Sequence, residues 1–140
     1  VQDGVAHYYA SPLRKHTMAS EFGLPADDDL PRVEILTCYA GIEEIVGLAI
    51  VATNPAGLVL TGLGHGTIPQ TIRKVTSNLP IPVVRASRTG SGIVSKVPQA
   101  NYAGYFVSDS LSPQKARILL MLALQKERTC KDLERIFQEY

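Results

Sequence analysis

Short apolar runs alternate with helix-like patterns along the middle of this chain. The run Val33 to Tyr39 precedes a helical pattern from Ile42 to Thr53, and Leu58 to Leu60 precedes a second pattern from Ile68 to about Ser77. A third apolar run, Ile81 to Ala86, follows. Strands that alternate with helices in this way form a parallel sheet with helices packed on its faces. The sequence therefore predicts an α/β domain.

The last third of the chain completes this pattern. Tyr105 to Val107 is predicted as a fourth strand, and Ser112-Pro113 begins a helix with a capping hydroxyl and a proline at the first helical position. The stretch Ile118 to Leu124 is apolar all round, and the final segment, which ends at Tyr140, is amphipathic. We expect a three-layer α/β domain with a mainly parallel four-stranded sheet flanked by helices.

The segment before this domain has a different character. Residues 1–31 show no sustained periodicity and end in a proline followed by acidic residues, so we interpret them as an interdomain arm or linker, with the α/β domain over 32–140. The first residues, Val1 to Gly4, lack a methionine and a basic region ahead of an apolar one, which is unlike a signal peptide. We expect a mature or truncated fragment.

Charge and hydropathy exclude two kinds of partner. Lys and Arg number 14 against 13 Asp and Glu, and no basic cluster exceeds the pair Arg73-Lys74, so we expect no nucleic-acid partner. The longest apolar runs, Ile45 to Ala52 and Ile118 to Leu124, are much shorter than the roughly 20 residues that a membrane helix needs. We therefore expect no membrane partner.

The metal-ligating residue types are scattered. Cys38 and Cys130 match neither zinc nor redox spacing, and two unreactive thiols are favoured over a disulfide. The histidines at 7, 16 and 65 are too far apart to indicate a metal site.

Two glycine-containing segments are candidate sites. Thr61 to Thr67 follows a predicted strand, where open α/β sheets place their ligands, although such glycines are also typical of tight turns. Thr67 is placed to cap the following helix. The long loop Ser87 to Gly104 is the second candidate, because loops of that length are usually functional or disordered.

A complete catalytic set is missing from the sequence. The chain has no Gly-x-Ser-x-Gly elbow, no phosphate loop ending in Gly-Lys-Ser/Thr and no dinucleotide fingerprint. The acidic groups Glu43-Glu44 and Asp27 to Asp29 are better interpreted as solvated charges. If this chain takes part in catalysis, it completes a site built elsewhere.

Five motifs are spread in order over nearly the whole chain. They are Ala10 to Thr17 with Ser20 to Phe22, Thr61 to Thr67, Val84 to Gly90, Ser108 to Arg117, and Ile136 to Tyr140. The series resembles the carboxyl-terminal domain of bacterial type II L-asparaginases and glutaminase-asparaginases. The resemblance implies a two-domain amidohydrolase that hydrolyses L-asparagine, and by extension L-glutamine, through a threonine acyl-enzyme.

The same resemblance implies how this domain is used. In the family the larger amino-terminal domain carries the catalytic residues, and the small domain of one subunit closes the active site of its partner. Two such intimate dimers form a tetramer. The implied ligand is a small amino-acid amide, no metal or organic cofactor is implied, the location is periplasmic or secreted, and a chain without the amino-terminal domain is expected to be inactive.

Two family positions that contact the partner's substrate can be carried over. The first, an Asn or Ser in the family, falls on Thr67, which keeps a hydroxyl; a helix cap alone is the alternative. His65 replaces the family's usual Asn. The second is a Glu that pairs with the substrate ammonium, but no acidic residue lies between Ile93 and Val107. Gln99 is the best substitute and Asn101 the next, and a neutral amide forgoes the stronger charge-assisted bond.

Other polar residues near the strand ends are interpreted as structural. We expect Arg85 and Arg88 to form hydrogen bonds that fix a loop or an interface, and we favour this role over a contact with substrate. Asp109 and Ser110 are interpreted as turn residues that fix the entry into the next helix.

Two other functions stay open. A non-catalytic amino-acid-binding or regulatory module would use the turn Gly64 to Thr67 as a sensor and would bind asparagine without the missing domain. An amidotransferase acting on charged tRNA has little support from the neutral charge balance.

Overall fold

The computed structural model describes residues 13–23, 29–97, 102 and 104–140. After a short 3₁₀ helix, Thr17–Ala19, the described chain forms four strands and four α-helices. The strands are β1 (Val33–Thr37), β2 (Gly57–Gly62), β3 (Val83–Ser87) and β4 (Phe106–Val107), and the helices are α1 (Glu44–Ala52), α2 (Gln70–Thr76), α3 (Pro113–Ala123) and α4 (Cys130–Glu139). Within these described ranges, every helix is too short or too polar to cross a membrane.

The four strands form one sheet in the order β1-β2-β3-β4, and each neighbouring pair is parallel. This arrangement confirms the α/β fold class. Parallel strands need crossover connections, which the helices between them provide. Because all strands run the same way, their carboxyl ends meet at one edge of the sheet, where Thr37 lies beside Thr61 and Gly62 lies beside Ser87.

Two apolar cores lie on opposite faces of the sheet, because successive strand residues point to opposite sides. Leu58 and Leu60 belong to the core that includes Ile72 of α2. Val59 lies between them in sequence and belongs to the second core, which includes Leu120 of α3. The sheet is thus the middle of three layers.

The starts of two helices test the predicted caps. Ser112 accepts a hydrogen bond from the Lys115 amide at 3.3 Å and Pro113 is the first residue of α3, which confirms that start. The predicted cap at Thr67 is wrong, because α2 begins only at Gln70, after Pro69. Thr67 is instead paired with Leu63 by backbone hydrogen bonds, so it cannot serve as a helix end.

The described part of the predicted arm packs against α4. The Lys15 amide donates to the Glu139 carbonyl at 2.8 Å, and the Arg135 guanidinium donates to Glu21 at 2.9 Å. The rings of Phe22 and Tyr140 lie 4.9 Å apart. Lys15, Glu21 and Phe22 therefore attach this segment to the last helix of the domain and to Tyr140.

Candidate functional site

The candidate site lies at the carboxyl edge of the sheet, where two loops meet. The turn that follows β2 and the loop that follows β3 are joined by a hydrogen bond from the Arg88 amide to the Gly62 carbonyl, 3.0 Å long. Both loops were predicted as candidate segments, and the structure brings them together at the position where α/β sheets usually bind ligands.

The turn from Gly62 to Thr67 has a tightly specified backbone. Leu63 and Thr67 exchange two backbone hydrogen bonds, of 3.0 and 2.8 Å, which close the turn. A Cβ atom on Gly62 would lie 2.5 Å from the carbonyl carbon of Gly66, so no other residue fits there. Gly66 has a φ of 71°, which favours glycine. These glycines are required by close approach and by backbone conformation.

The buried side chain of Arg85 holds the backbone of this turn by hydrogen bonds. It is only 2% exposed, and its guanidinium donates to the carbonyl oxygens of Gly66 at 3.3 Å and Ser95 at 3.0 Å. The same group stacks on the Tyr102 ring, 4.1 Å from its centroid. Burial lowers the Arg85 pKa, and Tyr102 partly opposes that effect. The predicted loop-fixing role of Arg85 is confirmed.

His65 and Ser95 form a second link between the two loops. The imidazole Nε2 lies 2.9 Å from the Ser95 hydroxyl oxygen and accepts a hydrogen bond from the Ser95 amide at 3.1 Å. A serine close to a histidine is also the geometry of a nucleophile and its base. Here the single Nε2 lone pair is already shared with the backbone amide, so the pair serves as a clamp.

Of the two predicted substrate contacts, Thr67 lies within the described residues and Gln99 does not. Thr67 is exposed at the end of the turn, next to the Gly66 carbonyl that Arg85 holds. Gln99 and Asn101 lie outside the described residues. The described residues Ser95 and Tyr102 both contact Arg85.

A cavity of about 350 Å³ opens between the loop after β3 and the start of α3. Arg88 is the only cationic residue among its described lining residues. The wall is rich in residues with hydroxyl side chains, which come from the ends of β1, β2 and β3, from the loop after β3 and from the turn before α3: Thr37, Thr61, Ser87, Thr89, Ser91, Ser110 and Ser112.

Asp109 lines the same cavity but has a structural role. Its carboxylate is paired with the Arg14 guanidinium, and its φ of 52° places it in a tight turn. The Leu111 amide closes that turn on the Ser108 carbonyl at 3.0 Å. The prediction that Asp109 fixes the entry into α3 is confirmed.

Both cysteines carry free thiols. Burial raises the pKa of the Cys38 thiol to about 11, and the nearby Arg88 charge opposes that shift. Cys130 is exposed at the start of α4. In the part of the chain that the structure describes, no group of three or more His, Cys, Asp or Glu side chains could hold a metal ion.

Sequence reasoning missed Ser95 as a structural residue. Its partner His65 lies 30 positions away, and no local pattern connects the two. The burial of Arg85 could be predicted from the sequence, because this residue lies inside the apolar strand Val83 to Ala86. A charged side chain there must find buried partners.

Comparison with known proteins gives the family. The chain is 32% identical over 146 residues to L-asparaginase 2 of Escherichia coli and 30% identical over 147 residues to glutaminase-asparaginase of Pseudomonas fluorescens. It is also 29% identical over 147 residues to a Haemophilus influenzae protein named "Probable L-asparaginase periplasmic". Each alignment covers 100% of this chain but only 40 to 42% of the relative. The glutaminase/asparaginase C-terminal domain model matches residues 32–137, and the chain belongs to that family.

Proposed function

We propose that the full-length protein is an L-asparaginase-type amidohydrolase, which converts L-asparagine to L-aspartate and ammonia. The names of the relatives support this activity, and the share of their length that the chain spans, 40 to 42%, supports a role as one domain of a larger enzyme. Within that enzyme the domain supports a dimer interface and completes the active site of the neighbouring subunit.

The observation that carries this proposal is the position of Thr67. Its side chain is exposed at the carboxyl edge of the sheet, on a turn whose backbone is held by Gly62 and by the buried Arg85. A hydroxyl on a rigid turn can donate or accept one well-directed hydrogen bond at an interface. Thr67 therefore contacts the bound amino acid or the residues that close over it in the partner subunit.

Gln99 is proposed as the second substrate contact. As a neutral amide it accepts a hydrogen bond from the substrate ammonium but supplies no charge, and a charge-assisted bond is roughly twice as strong. We therefore propose weaker binding of the substrate's α-amino group than a carboxylate at this position would give.

The nucleophile, its base and the oxyanion donors come from a larger amino-terminal domain. Among the described residues, Ser95 and His65 form a hydroxyl–base pair, but the His65 Nε2 lone pair is already shared with the Ser95 backbone amide. We propose that the 140-residue chain alone has no amidase activity, and that the active protein is a homo-oligomer. The Haemophilus influenzae relative, which is named as a periplasmic L-asparaginase, supports a periplasmic location.

The test compares Thr67→Val and Thr67→Ser in the full-length protein. Valine keeps the shape and removes the hydroxyl, so we expect kcat/KM for asparagine to fall about tenfold, while serine retains most of it. Thr53→Val is the matched control, because Thr53 lies at the end of α1 and its hydroxyl donates to the Ile50 carbonyl, at 2.7 Å, within its own helix.

Two results would contradict the proposal. Full activity of Thr67→Val would show that the Thr67 hydroxyl contacts neither the substrate nor the residues that close over it. Release of ammonia from asparagine by the 140-residue chain alone would show that no second domain is needed. Saturable asparagine binding by the inactive 140-residue chain would instead favour the amino-acid-binding module.

A further inference from the structure

Helix α1 has one buried side and one side that lies exposed. No residue from Ile45 to Ala52 has a polar side chain, and a helix that is apolar all round is normally buried on every side. Val46 and Ile50 pack against the core that includes Ile72 of α2. The side of α1 that faces away from this core is open, and it has no role in the function proposed above.

The open side is a stripe of four residues, which we call the α1 face: Ile45, Leu48, Ala49 and Ala52. Ile45 is 63% exposed and Leu48 is 47% exposed, and the two alanines are exposed as well. Their spacing of three and four positions places all of them on one side of the helix. A contiguous exposed apolar patch is typical of an interaction surface, because its burial removes apolar area from water.

The α1 face is complementary to itself. When a second α1 lies antiparallel on the first, about a two-fold axis midway between Leu48 and Ala49, Ile45 faces the partner's Ala52 and Leu48 faces the partner's Ala49. Each large side chain then meets a small one, so the two helix axes can approach to about 8 Å. The same stripe is used on both copies, as a two-fold contact requires.

The charges at the two ends of α1 also fit an antiparallel pair. Glu44 is exposed in the first turn. At the other end Arg32, whose side chain is 49% exposed, donates to the Thr53 carbonyl and pairs with Glu34 at 3.2 Å. In the antiparallel pair Glu44 lies opposite the partner's Thr53 and therefore next to the partner's Arg32, which has further N–H groups to donate. A parallel pair would instead bring the two Glu44 carboxylates together.

We propose that the α1 face is an interface between two copies of this protein, packed antiparallel about a two-fold axis. A contact between two nine-residue helices is smaller than the roughly 1,000 Å² typical of a stable interface. The isolated contact is therefore weak, and it gains strength when it links subunits that are already held in a larger assembly. The interface does not include Thr67, so it is independent of the function proposed above.

The first test measures self-association of the 140-residue chain by sedimentation equilibrium, at chain concentrations up to about 1 mM. We expect a monomer–dimer equilibrium with a Kd below about 1 mM. Leu48→Glu should raise this Kd at least about tenfold, because it buries a carboxylate at the centre of the contact. Ile118→Glu is the matched control: Ile118 is also 47% exposed, but it lies on α3, which packs on the other face of the sheet, so the Kd should not change.

Charge reversal tests the orientation. Glu44→Arg places a cation next to the partner's Arg32, so we expect the Kd to rise about threefold at low salt and less at high salt. Glu127→Arg reverses an exposed charge outside α1 and should leave the Kd unchanged.

Cysteine cross-linking tests the register in the full-length protein, after Cys130→Ser has removed the exposed native thiol. In the proposed pair the two copies of position 48 are offset by only about 1.5 Å along the helix axis, whereas the two copies of position 45 are about 10.5 Å apart. Leu48→Cys should therefore form a disulfide-linked dimer with the thiol oxidant diamide, and Ile45→Cys should not. Exposure alone predicts the opposite order, because Ile45 is the more exposed residue.

Three results would overturn the proposal. One is a chain that stays monomeric at about 1 mM. Another is cross-linking of Ile45→Cys as efficient as that of Leu48→Cys, which would indicate a parallel or unspecific contact. The third is a Leu48→Cys thiol that neither cross-links nor reacts with a maleimide in the full-length protein, because the missing amino-terminal domain would then cover α1. None of these measurements depends on amidase activity, so this proposal and the role of Thr67 fail separately.

Discussion

The two loops at the carboxyl edge are both rich in glycine, but they use it for opposite purposes. At Gly62, where β2 enters its turn, a Cβ atom would lie 2.5 Å from the Gly66 backbone, so glycine is required because the chain approaches itself closely. In the loop after β3, a side chain on Gly90 would meet nothing within 4 Å. Glycine there leaves space open. Glycine content alone therefore does not separate a closely packed turn from an open cavity wall.

The two arginines follow the same division. Arg85 is buried and bonds to two backbone carbonyls of the loops, whereas Arg88 is exposed and lines the cavity. One guanidinium fixes the backbone, and the other lies exposed at the cavity wall.

The largest expected effect comes from glycine replacement. Gly62→Ala should lower the free energy of unfolding by at least about 3 kcal/mol, because its Cβ meets backbone that cannot move aside. Gly90→Ala should change it by less than about 0.5 kcal/mol. Urea unfolding of the two variants measures both values, and equal effects would remove the distinction between the loops.

The arginine pair should show the next largest difference. Arg85→Met leaves the carbonyls of Gly66 and Ser95 without their donor, and we expect a loss of about 2–3 kcal/mol in the free energy of unfolding. Arg88→Met should cost less than about 0.5 kcal/mol, as for other surface changes. A destabilised Arg88→Met would mean that the cavity wall is also structural.

The reactivity of the two thiols tests whether Cys38, which lies near Arg88, is closed to solvent. Cys38 is buried, and its pKa of about 11 leaves little thiolate at pH 8, so we expect alkylation about a hundredfold slower than at the exposed Cys130. A raised thiol pKa also means that the folded state binds more protons. The free energy of unfolding should therefore fall as the pH rises from the ordinary thiol pKa of 9.0 to the raised pKa of about 11. Comparable alkylation of both thiols in the folded chain would contradict this.

The smallest effect concerns the clamp between the loops. His65→Ala removes the acceptor of the Ser95 amide, but water can replace it at this exposed position, so we expect a global loss of only about 0.5 kcal/mol. Hydrogen exchange of the Ser95 amide should nevertheless accelerate. Unchanged exchange would show that Arg85 alone holds this segment.

The fold could be read from the sequence where the signals are local. The alternation of apolar runs and helical patterns predicted the parallel sheet, and Ser112-Pro113 marked the start of α3 correctly. The cap at Thr67 was wrong because a local propensity competed with the backbone pairing to Leu63, which closes the turn first. Propensity is a weak predictor where tertiary contacts decide.

The site was less predictable, because its contacts join distant parts of the chain. Ser95 is held by His65 and by Arg85 from separate elements, and no periodicity reports such pairings. The cavity likewise combines the ends of three strands with the start of α3. The predicted substrate contact Gln99 stays a prediction, since it lies outside the described residues.

The burial of Arg85 also has a consequence for heat. The hydration of a charged group becomes less favourable as temperature rises, so the cost of withdrawing this guanidinium from water shrinks on warming. Its bonds to the two loop carbonyls should then contribute more to folding at high temperature than at 25 °C. The edge that presents Thr67 would thus keep its shape until the whole domain unfolds.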